Sequence, residues 1–562
     1  MLKITILSTE YLTFDAHIIL TVYKQTDKES VALMASKTRR FFLNALSLTV
    51  TALIMRGVGM IFNIYVSNKA GSEAMGLYSL LGSVYVFSIT LAAFGINLGT
   101  TKLVSDALGI GDSALARRCV SNALICCTLT GSVTSFLLFT LAPVIGQNLL
   151  GDKRSVTSLR ILALTLVPIA VCACLSGYFT AVRRVKANAA FQVVSQGVRI
   201  ASTMALLSAF VGQGTEKACI ALVIGSAISE LLSLIITYSL YRYDIKKLDG
   251  TQNSSVRDGA SITKKLFGIT LPVTFSACIR SALMMVQNIL IPKGLKSSGS
   301  SWQVALSSYG AVHGMALPFI LFPSALLSAF AGLLIPEVSE CCVKNDSERL
   351  KRVSFRALTL SLIFSLGVSG IMLFFSKDLG LLIYKSAETS KYIRVLAPLI
   401  PVMYVDSVCD AVLKGSGHQV YSMNVNIIDA LTSCFLVFIL VPQLGILGYI
   451  IAIYATEILN TSLSVLKMIS VSKFKPLLFH QIVMPLICII GATNISKIII
   501  NIIPNMAVSA PSLVMNILLT LAIYVALLKI TKTIGNEENE FFNAALLTES
   551  AYDRKFRSDV IT

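Results

Sequence analysis

Apolar runs of about 20 residues recur fourteen times along this chain, near residues 42–66, 77–100, 118–143, 158–181, 188–211, 217–241, 265–291, 308–335, 355–376, 392–413, 420–441, 444–466, 478–500 and 510–530. A helix of that length crosses a hydrocarbon core of about 30 Å, and in lipid only helices and closed barrels satisfy their own backbone. One such run fits a buried core helix; a whole chain of them does not. The balance of 55% hydrophobic to 14% charged residues agrees, since soluble domains carry about 25% charged. The sequence predicts an all-α polytopic membrane protein of about 14 transmembrane helices.

A net charge of +18 would point a soluble protein toward nucleic acid. Here the basic residues gather in alternate loops instead: Arg39/Arg40, Arg117/Arg118, Arg183/Arg184/Lys186, Lys246/Lys247/Lys264/Lys265, Arg352/Arg356 and Lys473/Lys475. The positive-inside rule places those loops in the cytoplasm together with both termini. The expectation is a multi-pass protein of the cytoplasmic membrane with no nucleic-acid partner. Cys126/Cys127, Cys172/Cys174 and Cys341/Cys342 have no histidine at ligand spacing, and His17, His313, His418 and His480 are scattered. The cysteines read as small apolar residues, and neither metal nor cofactor is expected. Residues 1–35 fit neither a signal peptide nor a span, whereas Met34 opens "MASKTRRFFLNALSL", a basic start followed by the first span. Translation is therefore expected to begin at Met34.

The chain also resembles itself. "TALIMRGVGMIFNIYV" (51–66) aligns with "FSACIRSALMMVQNIL" (275–290), which puts Arg56 on Arg280 and Asn63 on Gln287. Further on, "KLVSD" (102–106) meets "PEVSE" (336–340), and "DSALARR" (112–118) meets "DSERLKR" (346–352). Pro168 meets Pro401, and "SAISELLSL" around Glu230 meets "IYATEILNT" around Glu457. Matches in one order imply two parallel six-helix repeats, spans 1–6 and 7–12, plus two extra C-terminal helices. The expected organisation is an N-lobe over 36–241, a polar cytoplasmic connector over 242–263, a C-lobe over 264–467, spans 13–14 over 468–531 and a cytoplasmic tail over 532–562.

A charge at the bilayer centre costs about 2.5–3.5 kcal/mol on insertion scales, so mid-span arginines should face the protein interior. Arg56 and Arg280 hold the same place in the two repeats, hence both should point to the interface where repeat-built transporters keep substrate. Two guanidinium groups there would clamp a phosphate or carboxylate; otherwise each pairs with a neighbouring acid to fix helix packing. Asn63 and Gln287, about two turns further on, join the candidate set. Arg199 is a third mid-span arginine, read either as a cavity group or as one end of an ion pair within its own lobe. Asp406 and Asp410, four residues apart and so on one helical face, either bind a coupling cation or proton or neutralise Arg280. Glu230 and Glu457 read as packing or pairing groups, with Asp429 beside them. Pro318, Pro323 and Pro336 interrupt span 8 and should bend it.

The stretches "MRGVGMIFNIYVSNKAGSEAMGLYSL", "GINLGTTKLVSDA" and "ALPFILFPSALLSAFAGLLIPEVSE" resemble the polysaccharide-flippase branch of the multidrug/oligosaccharidyl-lipid/polysaccharide exporter superfamily. Within it the likeness is nearest to stage V sporulation protein B-like proteins and more distant to the lipid II flippases, over roughly residues 36–530. The resemblance implies fourteen spans in two six-helix lobes and movement of an undecaprenyl-pyrophosphate-linked sugar across the membrane. It implies substrate-binding roles for Arg56 and Arg280. Many members carry a second basic residue about two turns after the first, where this chain has Phe62 and Asn63. The function expected is a lipid-linked oligosaccharide or peptidoglycan-precursor flippase, a monomer in contact with membrane lipid, and not an enzyme. No GxxxxGK[ST] loop occurs, so a gradient or substrate removal must drive it. The alternatives are a cation-coupled multidrug exporter, which should centre acids rather than arginines in its cavity, and a membrane glycosyltransferase or ligase on the same lipid carrier. The short external loops speak against the latter.

Overall fold

The computed structural model describes residues 51–93, 95–210, 214–245, 259–474, 477, 479–502, 510–531 and 533. The chain forms two compact units, Met1–Arg56 and Gly57–Thr562. Of the first, residues 51–56 are described and are helical. The proposed start at Met34 lies outside the described residues, as does most of the 242–263 connector.

The second unit is a helical bundle. Fourteen stretches of the described chain are long and apolar enough to cross a membrane, as the sequence predicts. Two of their boundaries need physical interpretation. Residues 57–93 are helical, yet Gly71 has φ +83, a conformation that costs glycine nothing and interrupts a right-handed helix. Gly314 touches both sides of this break: its carbonyl accepts from Asn63 Nδ2 at 3.4 Å, and its Cα faces Met75 and Ser79. In one straight helix Asn63 and Ser79 would stand about 24 Å apart. The chain therefore doubles back at Gly71, and two crossings share one helical run.

The converse holds for Trp302–Leu321 and Ser324–Val343. Their contacts climb steadily along Ala387–Leu396 and Ile400–Gly415: Ser308 donates to Glu388 at 2.8 Å, Met315 Sδ accepts from Thr389 at 3.4 Å, the Ile320 carbonyl accepts from Tyr404 at 2.6 Å, and Val338 packs beside Gly415. These two pieces are one bent crossing. It loosens into π-helix over Gly310–Ala316 and breaks at Phe322–Pro323, where proline supplies no amide donor. One run counted as two and two counted as one keep the crossings at fourteen.

The duplication is visible in the turns. Gly111 and Asn345 both take positive φ, each followed by an aspartate whose side chain caps the next helix: Asp112 accepts from Leu115 N at 2.8 Å and Asp346 from Arg349 N at 2.9 Å. Gly151 and Lys385 form another such pair, each after a π-turn, Ile145–Leu149 and Leu379–Ile383. Arg183 and Gly417 form a third. The separation is the same each time, 234 positions (345 − 111, 385 − 151, 417 − 183). Identical turns at a constant offset are what a duplicated fold produces, and they persist where the side chains have diverged.

Within the first half, Ser113–Val144 packs on Ser155–Ala181 and Val185–Phe210 on Thr215–Ile245; in the second, Gln419–Leu444 packs on Ile446–Ser472 and Ser324–Val343 on Ile400–Gly415. The last two helices, Met484–Ile502 and Ala510–Ile530, lie against Ser347–Phe374. There Ile489 fills the space above Gly370, Tyr524 donates to the Ile363 carbonyl at 2.9 Å, and Gln481 donates to Thr359 at 2.8 Å. Large apolar side chains such as Phe435, Phe438 and Phe136 point outward, which suits a lipid solvent.

Candidate functional site

Arg280 lies in Gly259–Ser297, a helix held along two seams. On one seam Thr270 and Thr274 pack beneath Gly95 and Gly99; on the other the Leu283 carbonyl accepts from Cys434 Sγ at 3.3 Å. Two faces remain exposed between the seams. One carries Phe267, Leu271, Phe275 and Val286 and is apolar between Phe267 and Val286, with lysines only toward the helix ends. The other carries Val273, Ala277, Arg280 and Met284, with half-buried Gln287 at its edge. Since a guanidinium on a lipid face costs about 2.5–3.5 kcal/mol, the second face is the one fit for a polar cavity. Among the described residues Arg280 forms no ion pair. Arg56, at the end of the first unit, is exposed on its helix.

Asn63 takes a different part from its sequence-aligned partner Gln287. It joins the crossing that ends at Gly71 to the π-turn of the bent crossing through its bond to Gly314, and its Oδ1 is buried without a partner among the described residues. Arg199 is half-buried, its Nε without an acceptor among the described residues, and within electrostatic reach of Glu230 on the neighbouring helix. Both belong to the first half, and among the described residues they form no salt bridge.

The two aspartates of "YVDSVCDAVLKG" have separate surroundings. Asp410 accepts from Lys414 at 3.2 Å and from the Ser422 hydroxyl. Asp406 accepts from Asn460 Nδ2 at 3.1 Å and lies near Ser464, while its Oδ1 has no partner among the described residues. Its electrostatic neighbours are Asp410, Asp429 and Glu457, all acids. Asn460 is 7% exposed, and its Oδ1 is likewise unpartnered. Three carboxyls thus gather at Asp406, Asp429 and Glu457, on three helices of the second half, with Lys414 spent on Asp410. No three His, Cys, Asp or Glu side chains among the described residues converge to hold a metal ion. The sequence signal for Asn460 and Ser464 was present: with Glu457 they fall three and seven positions apart, on one helical face.

The halves meet closely at the end bearing the 145–154 and 298–302 turns. Ser72 and Ser307 hydroxyls lie 2.6 Å apart, Asn68 donates to the Ile383 carbonyl at 2.7 Å, and Lys293 Nζ to the Asn148 carbonyl at 3.1 Å. Gly76 and Gly310 let the backbones touch: a Cβ on Gly76 would strike the Leu306 carbonyl, and one on Gly310 the Ser72 carbonyl. The opposite end of the bent crossing is less covered. In the most apolar window of Trp302–Leu321 61% of residues are buried, against 28% in that of Ser324–Val343.

A duplicated bundle of fourteen crossings, its halves fastened at one end, is the architecture of a membrane transporter. The chain belongs to the polysaccharide biosynthesis protein family, whose pattern matches residues 41–339, more than half of it. A second pattern, MatE, matches residues 272–439. Stage V sporulation protein B of Bacillus subtilis (strain 168) is 28% identical over 456 residues, covering 79% of this chain and 85% of that protein. The lipid II flippase MurJ of the same organism is 22% identical over 323 residues, 54% of this chain and 59% of that one. Among solved structures, the inward closed conformation of a lipid II flippase MurJ superposes with a TM-score of 0.64 at 14% identity, over 87% of this chain and 99% of the other. An inward-facing multidrug resistance MATE family transporter of the MOP superfamily gives 0.55 at 17% identity, over 76% and 99%. These superpositions establish the fold, and the family membership agrees with the resemblance carried by the span 1, 2 and 8 motifs.

Proposed function

We propose that this protein is a flippase that carries a lipid-linked oligosaccharide or peptidoglycan precursor across the cytoplasmic membrane by alternating access, as a monomer. The supporting observation is Arg280: a guanidinium without an acidic partner among the described residues, and the charged group in the middle of an exposed face of its helix, where the other exposed face is apolar from Phe267 to Val286. An anionic pyrophosphate is the ligand such a group suits, and an exporter of cationic drugs would place an acid there instead. Arg56, its counterpart in the first repeat by sequence, is the second basic residue proposed to act on the same ligand. The name of one relative, a lipid II flippase, fits the same substrate class.

By the positive-inside rule the loops with Arg117/Arg118, Arg183/Arg184 and Arg352 are cytoplasmic, so the fastened Ser72–Ser307 end is external and the less covered end faces inward. Asp406, Asp429 and Glu457 supply the coupling step. Acids inside a membrane are costly and mark ion or proton pathways, which suits a coupling role for this electrostatically linked group.

The test is delivery of a lipid-pyrophosphate sugar to the outer leaflet of reconstituted vesicles. Arg56→Ala and Arg280→Ala should each insert normally and lose flipping. Near-parental flipping by both single variants would remove the anion clamp.

A further inference from the structure

The chain has one tryptophan, Trp302, and it stands at the join between the halves. Ser301 caps the helix that begins there, accepting from Val304 N at 3.3 Å, which fixes the indole at the helix start. Its ring lies over Gly151 of the opposite half, within 3.8–4.0 Å of where a Cβ would stand, and its Nε1 donates to Asp152 Oδ2 at 3.1 Å. Asp152 is held from its own side as well. Arg154 gives it a backbone bond at 2.9 Å, Nε bonds at 3.0 and 3.1 Å and an Nη2 bond at 2.7 Å, and spends Nη1 on Glu73 at 2.9 Å. Glu73 in turn accepts from Thr215 at 3.3 Å. The aspartate side chain is 5% exposed.

This arrangement goes beyond what the duplicated fold requires. At the 234-residue offset the second half has Ser386 opposite Asp152 and Glu388 opposite Arg154. Ser386 merely caps its own helix through Thr389 N, at 3.1 Å, and Glu388 bonds Ser308 and Tyr392 within its own half. At these two positions only the first-half side chains reach across; the second-half turn meets the first half through its backbone, the Ile383 carbonyl accepting from Asn68. An ion pair built solely to stabilise the turn would need no donor from the other half, and Trp302 uses its single polar atom to make that link.

We infer that Trp302, Asp152, Arg154 and Glu73 form a latch that holds the two halves together at this end and must part in each transport cycle, an inference that rests on the alternating-access reading above. Arg154 and Glu73 are positioning residues: they aim the carboxylate, and the indole N–H closes the link. Gly76 and Gly310 let the helices behind it come into backbone contact, and Ser72 and Ser307 lie beside that contact. The link is charge-assisted on one side and neutral on the other, strong enough to bias a two-state equilibrium and weak enough to open.

Residence in the latched state can be read without any transport assay. In a Ser72→Cys/Ser307→Cys protein, copper-phenanthroline should join the halves quickly, detected as a link that survives proteolysis of the connector; the parent without these substitutions controls for native cysteines. Adding Asp152→Ala should slow cross-linking roughly tenfold, and Trp302→Phe, which keeps an aromatic ring but loses the N–H with the pyrrole part of the indole, should slow it by a smaller factor. Should Asp152→Ala not fold, Trp302→Phe carries the test alone. Cross-linking at the parental rate in both variants would overturn the latch. In the otherwise unaltered double-cysteine protein the oxidised link should stop flipping, and reductant should restore it. Undiminished flipping while cross-linked would overturn alternating access itself, whatever the variants do.

Discussion

At the residue scale, the charges sort by whether a partner is built in. Arg154 has two acids and Asp410 has Lys414, so these are structural pairs. Arg280 has none among the described residues, and a clamp on pyrophosphate should be sensitive to its geometry as well as its charge. Arg280→Ala should lower flipping by about 10–100-fold, the worth of one or two charge-assisted bonds, while Arg280→Lys recovers part of it. Initial rates in reconstituted vesicles measure both. Asp152 gives a pH prediction. Burial pushes its carboxyl upward, but the bonds from Arg154 and Trp302 outweigh that, and it sits below the usual aspartate range. A depressed carboxylate stabilises the closed form above its ordinary value of about 4 and loses that contribution as pH falls through the depressed value. The groups facing it are Arg154, Trp302, the buried Cys219 thiol and, through Arg154, Glu73. Trp302 emission in the purified protein should therefore be flat from about pH 8 to 5 and change only below about 4. A transition near neutrality would contradict the assignment.

At the element scale, the bent crossing and the helix that starts at Gly71 are joined by glycines rather than by large side chains. Because the obstacle a new Cβ would meet is backbone, Gly310→Ala cannot be relieved by a rotamer change. It should cost the closed end about 1–3 kcal/mol and shift the conformational equilibrium by about 5–150-fold. Slower 72–307 cross-linking checks this, with no change expected at the distant Asp112 and Asp346 turns. Asp406→Asn with Asp429→Asn removes two of the three gathered carboxyls on separate helices. The pair should abolish dependence of flipping on an imposed gradient and leave substrate binding measurable; full gradient dependence would exclude these acids from coupling.

At the scale of the whole molecule, orientation is the property most open to a direct test. A cysteine placed at Ser254, in the connector, should label only from the inside, and one in "KGLKSSGSSWQ" only from the outside. Much of the fold was legible in the sequence because lipid imposes a simple rule: every crossing must be a long apolar helix, so counting runs counts crossings, and duplicated spans betray themselves by aligned charges and prolines. Arg280 was legible for the same reason, since a charge inside an apolar run is conspicuous. The reversal at Gly71 was marked only by a polar loop, and the helical run that absorbs it could not be read in advance. Three further features had no local signal. The grouping of Asp406 with Asp429 and Glu457, as well as with Asp410, depends on how three helices rotate about their axes. The Trp302–Asp152 link joins positions 150 apart in loops that resemble ordinary turn chemistry. Which end of the bundle is closed depends on two glycines whose importance lies in what approaches them. The sequence by itself determined the solvent, the number of crossings and the repeat, because these follow from composition and period along one chain. Only the tertiary structure decided which charges are paired, which stand open and where the halves are fastened, because each of those is a distance between residues that the chain leaves far apart.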